Sequence, residues 1–128
     1  MTDSDTTIAH LRRVVEEFVD RRDWHQFHTP KNLSMSLAIE AAELMEHFQW
    51  LTAEQSRAVA GQSEKLGQVG DELADVLCYA LAIANELHLD LSSALERKMV
   101  KNAKKYPADQ YRGRFGPEDP GDPKRDEA

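Results

Sequence analysis

Four acidic residues fall into two pairs of one design, Glu40 and Glu43 in SLAIEAAELMEHFQW, and Glu72 and Asp75 in GDELADVLCY. Three residues is close to one helical turn, so the members of each pair leave the same side of a helix. On a wheel of about 100° per residue with Glu40 at zero, Leu33, Leu37, Leu44, Phe48 and Leu51 spread over about +20° to +80°. Glu43 then falls near about −60°, with His47 between the two glutamates. With Glu72 at zero, Val69, Val76, Ala80, Ile83 and Leu87 occupy the same arc, Asp75 falls near about −60°, and Tyr79 lies between. Both helices therefore carry carboxylates at one edge of an apolar stripe, and packing by those stripes would bring four carboxylates together. Four converging carboxylates do not all stay ionised near neutral pH without a counter-charge. A hard divalent cation supplies one, and Mg²⁺ accepts oxygen ligands while keeping waters for a phosphate; Mn²⁺ is the alternative ion. Acidic residues at this spacing are also common on solvated faces, so the matched offset on two helices, not either pair alone, points to a metal site. A di-iron site would need Glu-x-x-His pairs, whereas His47 is misplaced relative to Glu43 and no histidine follows Asp75 at three.

A metal on carboxylates suggests a phosphorylated substrate, which needs cations nearby. The segment ERKMVKNAKKYPADQY holds Arg97, Lys98, Lys101, Lys104 and Lys105. Cations at a helix C-terminus complement its dipole, but that does not explain why Lys98, Asn102 and Lys105 share one face. Phosphate oxygens accept hydrogen bonds from such groups. Trp24, Phe27 and His28 lie in DWHQFHTPKN, and Trp50 closes the acidic helix. Aromatic residues serve more often as core than as ligand platforms, yet both tryptophans flank the E-x-x-E helix, where a nucleobase can stack on them.

The elements that must position these groups are helical. Ile8, Leu11, Val15, Phe18 and Val19 make one stripe between Thr6 and Arg22. Pro30 suits the start of a second helix running to about Leu51. Thr52 with Gln55 resembles a capping box for a short segment ending near Gly61. A long helix follows from about Ser63 to His88, and Asp90 or Ser92 caps a last one that ends at about Tyr106, before Pro107. No segment sustains a two-residue alternation. The fold class expected is all-α, a helical bundle of four main helices plus a short connecting helix. Residues 1–106 form its one domain. Residues 107–128 hold three of the six glycines and four of the five prolines, a composition expected of a tail without its own core that is mobile in about its last dozen residues.

Composition narrows the function classes. With 41% apolar and 30% charged residues in 128, the chain can build a core. A formal charge of −7 argues against binding a nucleic-acid polymer. The polar start MTDSDTTIAH has no leader character, and no apolar run approaches the ~18 residues of a membrane span. Cys78 is the single cysteine, consistent with a reducing compartment. The expectation is a cytoplasmic protein that engages no membrane.

The stretches RDWHQFHTPKNLSMSLAIEAAELMEHFQW, GDELADVLCY and KMVKNAKKYP together resemble the all-α nucleoside triphosphate pyrophosphohydrolases of the MazG type, most nearly the dCTP pyrophosphatase branch. The likeness covers about Ile8 to Tyr106. Its composite of E-x-x-E, about 28 intervening residues, E-x-x-D and K-x-x-x-N-x-x-K is more specific than any part. The resemblance implies Mg²⁺-dependent cleavage of a nucleoside triphosphate between the α- and β-phosphates, giving a monophosphate and pyrophosphate. It implies that Glu40, Glu43, Glu72 and Asp75 are the catalytic metal ligands and that Lys98, Asn102, Lys105 and Tyr106 hold phosphates. Trp24, His28, Asn32 and Trp50 would line the nucleotide pocket, and Tyr79 is taken as a further substrate contact. Lys105 stands where relatives often carry arginine, keeping the charge and losing the fork. The family implies a homodimer or homotetramer. Two alternatives are a dUTP or phosphoribosyl-ATP pyrophosphohydrolase on the same scaffold, and a non-catalytic helical interaction protein.

Overall fold

The computed structural model describes residues 1–115 and 119, and every described element is helical. The helices are α1 (Ile8–Asp20), α2 (Pro30–Glu46), α3 (Ala53–Ala58), α4 (Ser63–Glu86), α5 (Leu91–Lys105) and α6 (Ala108–Tyr111), with a 3₁₀ turn at Val59–Gly61 after α3. Four are long, as the periodicity predicts. Their starts are set by local chemistry. The side chains of Thr7, Thr29 and Asp90 accept the backbone N–H groups of His10, Asn32 and Ser93, which would otherwise lack a helical partner. Of the two caps expected for α5, Asp90 is the one used. Pro30 opens α2 without leaving a donor unmade, and Thr52 with Gln55 forms the reciprocal capping box.

Two ends differ from expectation. α2 stops at Glu46 instead of Leu51, because His47, Phe48 and Leu51 turn back to carbonyls three residues earlier. α4 stops at Glu86 because His88 adopts φ 52°. The Leu89 N–H then reaches Ala84 O at 2.9 Å and the His88 N–H reaches Asn85 O at 3.3 Å, a Schellman-type stop. Arg12 of α1 reinforces that stop, donating to Asn85 Oδ1, Leu89 O and Ala84 O at 2.9, 2.7 and 3.0 Å.

The chain divides into two compact units, Met1–Leu89 and the part from Asp90 onward. In the first, α4 is the spine: its most extensive packing is with α2, and α1 also lies against it. The expected stripes make that packing. Leu33 is buried and Leu37, Leu44, Phe48, Val69, Val76, Ala80 and Ile83 are half-buried, while Leu51, Leu66 and Leu87 are exposed. Leu81, Ala82 and Ala84 complete the buried centre together with Val19 and Val59. In the second unit, α5 is followed by α6, where Tyr106 and Tyr111 meet edge to face at 5.2 Å between centroids. Residues 107–115 thus begin with a short helix where composition alone suggests a tail. The end of the tail, where mobility is expected, lies outside the described residues apart from Asp119, which accepts the Phe115 N–H.

Candidate metal and nucleotide site

The packing of α2 against α4 brings Glu40, Glu43 and Glu72 together: each offers a carboxylate oxygen, and the three lie within 4.8 Å of one another. All three are half-buried. Crowding like charges at a partly dry helix seam has a cost, and it shows in the proton affinities. Glu40 is pushed up to about 7, first by sharing a hydrogen bond with Glu43, then by burial and by the charges of Glu43, Asp75 and Glu72. Glu72 is also raised, first by burial and then by the Glu43 charge, while His47 opposes the shift. Asp75 is exposed and acts on both glutamates through its charge, standing outside the tight triad.

Two oxygens of this cluster, Glu40 Oε2 and Glu72 Oε2, are buried and have no hydrogen-bond partner among the described residues. Buried carboxylate oxygens without a donor are costly unless a cation answers them. An all-oxygen donor set suits a hard divalent ion. The residues present therefore fit a divalent cation held by Glu40, Glu43 and Glu72, with Asp75 adding charge at the rim. These acids do not merely face solvent from separate helices; the triad converges.

A model of the MazG-like family matches residues 35–114, which take in all four acidic residues. The chain belongs to the MazG-like family. It is 39% identical over 109 residues to dCTP pyrophosphatase 1 of Rattus norvegicus, covering 85% of this chain and 64% of that protein. The protein of the same name from Homo sapiens is 38% identical over 104 residues, covering 81% and 61%. The chain thus spans somewhat under two thirds of the length of these curated relatives. Among solved structures, it resembles a pyrophosphatase from Archaeoglobus fulgidus DSM 4304, with TM-score 0.73 and 38% identity over 84% of this chain and 98% of that one.

Around the carboxylates of this MazG-like chain stands one residue to which the sequence pattern assigns no role beyond that of a misplaced iron ligand. His47 Nε2 lies 4.0 Å from Glu72 Oε1, and both side chains are mostly covered. Its wheel position between Glu40 and Glu43 is the signal that could have found it. Cys78, one residue from Tyr79, is half-buried, and its thiol is raised by burial and by Asp75. Tyr79 is half-buried on α4.

The link between α1 and α2 carries three further candidates. Trp24 packs edge-on against Phe18 at 5.7 Å and lies 6.1 Å from the His28 ring. His28 Nδ1 is buried without a hydrogen-bond partner. Asn32 donates from Nδ2 to Phe27 O at 3.0 Å, so it holds the link to the start of α2. Trp50 does not end a helix as expected; it sits in the turn after α2 and is 87% exposed. Lys98, Asn102 and Lys105 lie on α5 in the second unit. There the Lys105 ammonium is 5.3 Å from the Tyr106 ring centre, and Asn102 is half-buried with Nδ2 3.9 Å from Met99 Sδ.

Among the described residues, no helix is long and apolar enough to cross a membrane.

Proposed function

We propose that this chain is a divalent-cation-dependent nucleoside triphosphate pyrophosphohydrolase acting on dCTP or a related pyrimidine deoxynucleotide, releasing monophosphate and pyrophosphate. The observation that carries the reading is the convergence of Glu40, Glu43 and Glu72 within 4.8 Å, with two buried oxygens lacking donors. Names of the relatives support the substrate class, since the rat and human proteins are both called dCTP pyrophosphatase 1. Glu40, Glu43 and Glu72 hold the cation, with Asp75 beside them, and Mg²⁺ is the ion of first choice. When bound, such an ion neutralises phosphate charge and helps align an in-line attack. A carboxylate of the set not committed to the ion accepts the proton of the attacking water. Lys98, Asn102, Lys105 and Tyr106 bind the phosphates, and Trp24, His28, Asn32, Trp50 and Tyr79 serve the nucleoside.

The same reading includes a homodimer or homotetramer. Met35 and Ile39 on α2 and Leu66, Leu73 and Leu77 on α4 are all exposed in the single chain, more apolar surface than such short stretches usually leave to water. A cytoplasmic setting agrees with the single free thiol of Cys78.

A screen of nucleotides with separate detection of pyrophosphate and orthophosphate tests the activity. Pyrophosphate and monophosphate should appear together, fastest with a pyrimidine deoxynucleoside triphosphate. Orthophosphate as first product, with a diphosphate, would overturn the assignment; dUTP or phosphoribosyl-ATP as preferred substrate would keep the chemistry and replace the base.

A further inference from the structure

The link between α1 and α2 is held mainly by local bonds. The Trp24 N–H returns to Val19 O at 3.1 Å, and the Phe27 and His28 N–H groups both donate to Trp24 O, at 2.9 and 3.0 Å. Gln26 Nε2 donates to Asp23 O at 3.0 Å. Asp23 sits at φ 52°, in the left-handed region that aspartate adopts more readily than most residues, and turns the chain out of α1. The long-range polar tie is His25. Its Nδ1 is 2.5 Å from Glu86 Oε1 on the last turn of α4, 61 residues away in sequence. Its Nε2 is 2.7 Å from Asp20 Oδ1 and 3.2 Å from Glu16 Oε1, both on α1.

That geometry specifies a protonation state. Both ring nitrogens face carboxylate oxygens, and a neutral imidazole has only one N–H to donate. A neutral ring would point a lone pair at a carboxylate on one side; the imidazolium donates on both. The charged groups facing the ring are Glu16 and Asp20 from α1 and Glu86 from α4, and all three favour the proton. Accordingly the His25 pKa is raised, first by the Glu86 hydrogen bond and then by that of Asp20, with burial opposing. His25 is flanked by Trp24 directly, and the His28 N–H donates to His25 O at 3.2 Å, so the backbone that the ring anchors is the backbone that carries both.

We propose that His25, gripped between Glu86 of α4 and Asp20 and Glu16 of α1, is a positioning residue whose protonated ring holds the link in the form that presents Trp24 and His28 to a nucleobase, so that nucleotide affinity falls as pH rises. This rests on the proposed function for the role of Trp24 and His28, but not for the tie itself. The imidazolium contributes fully below the ordinary histidine pKa, and its contribution is lost as pH rises through the raised one. Losing it lowers the fraction of molecules with a competent link, and apparent affinity drops by that fraction. Among the described residues no hydrogen bond joins the proposed metal ligands Glu40, Glu43, Glu72 and Asp75 to the link, so loss of the tie should move KM and not kcat.

Two readouts on the full chain separate the tie from the pocket. The first is the hydrogen-exchange protection factor of the Phe27 and His28 amides, measured by NMR without nucleotide at pH 6 and pH 9. The second is KM and kcat for the best hydrolysed nucleotide across the same range at saturating Mg²⁺. In the wild type, protection should drop and KM rise about tenfold if the competent fraction falls to about one tenth, with kcat following the same pH course in wild type and variants. His25→Gln should show low protection and a high, flat KM at both pH values. Glu86→Gln, which keeps an acceptor but removes the charge, should move the KM rise to lower pH, a midpoint shift that a merely structural contact does not produce. Unchanged protection in His25→Gln overturns the tie. Protection that follows His25 while KM does not overturns the positioning role and removes Trp24 and His28 from the nucleotide pocket, leaving the metal-site reading intact.

Discussion

Near its C-terminal end α4 presents Glu86 to Glu16 and Asp20 of α1, around the His25 ring; 14 residues earlier, about 21 Å along the axis, it presents Glu72 to Glu40 and Glu43 of α2. The side chains of Glu86 and Glu72 have the same exposure, 24%, so burial does not distinguish these two α4 glutamates. Their partners do. The His25 ring touches carboxylates through both nitrogens and offsets part of their charge from within the fold. At the other cluster His47 comes no nearer than 4.0 Å to Glu72, two buried oxygens have no donor, and Glu40 is pushed up to about 7. An acidic cluster answered by its own cation is a structural tie, while one left in deficit is a place for a cation from solution.

Removing charge from the open cluster should have the largest effect. Glu43→Gln keeps size and hydrogen bonding, and kcat should fall by at least the roughly 10–100-fold that loss of mere supporting contacts to a metal costs. In wild type, Mg²⁺ at a hundredfold excess over its Kd should stabilise the fold by about 2.7 kcal/mol. In the variant that gain should shrink, while metal-free stability holds or rises because a repulsion is gone. Melting temperatures with and without Mg²⁺ at matched ionic strength decide it, and an equal magnesium shift in both proteins would break the contrast between the clusters.

A pH series sharpens the same contrast. Glu40 and Glu72 have raised pKa values, so the metal-free native state binds more protons than the unfolded chain and loses stability as pH climbs from about 4.5 through the raised values, about 7 for Glu40. The His25 cluster also loses stability with rising pH, through the raised His25 pKa. Only the first loss should be recovered by Mg²⁺ and flattened by Glu40→Gln. Thermal melts across pH in both metal states measure this, and a pH-dependent loss of melting temperature that Mg²⁺ leaves unchanged would contradict it.

The smallest effect on the fold should come from Trp50, which lacks the packing that Trp24 has in the pinned link. Trp50→Ala should leave the melting temperature nearly unchanged and raise KM about tenfold, within the ~1–3 kcal/mol range of base–aromatic stacking. Earlier melting with unchanged KM would make Trp50 a packing residue.

Local chemistry is legible in the sequence alone. The capping box of Thr52 and Gln55, a cap at Asp90 or Ser92, the proline at the start of α2, and apolar stripes with carboxylates at their edge depend on residues within a few positions of one another. They determined the all-α class, the starts of the helices and the candidate acids. Helix ends are less legible: the last turns after Glu46 and Glu86 depend on carbonyls choosing nearer or farther donors, a choice made partly by neighbours such as Arg12. Tertiary structure alone decided which acids converge tightly and which stays at the rim, that His47 faces Glu72, and that His25 spans two helices. The reason is physical. Periodicity states which face a residue occupies, but charge balance depends on what the opposing helix brings to that face, and no spacing within one helix encodes it.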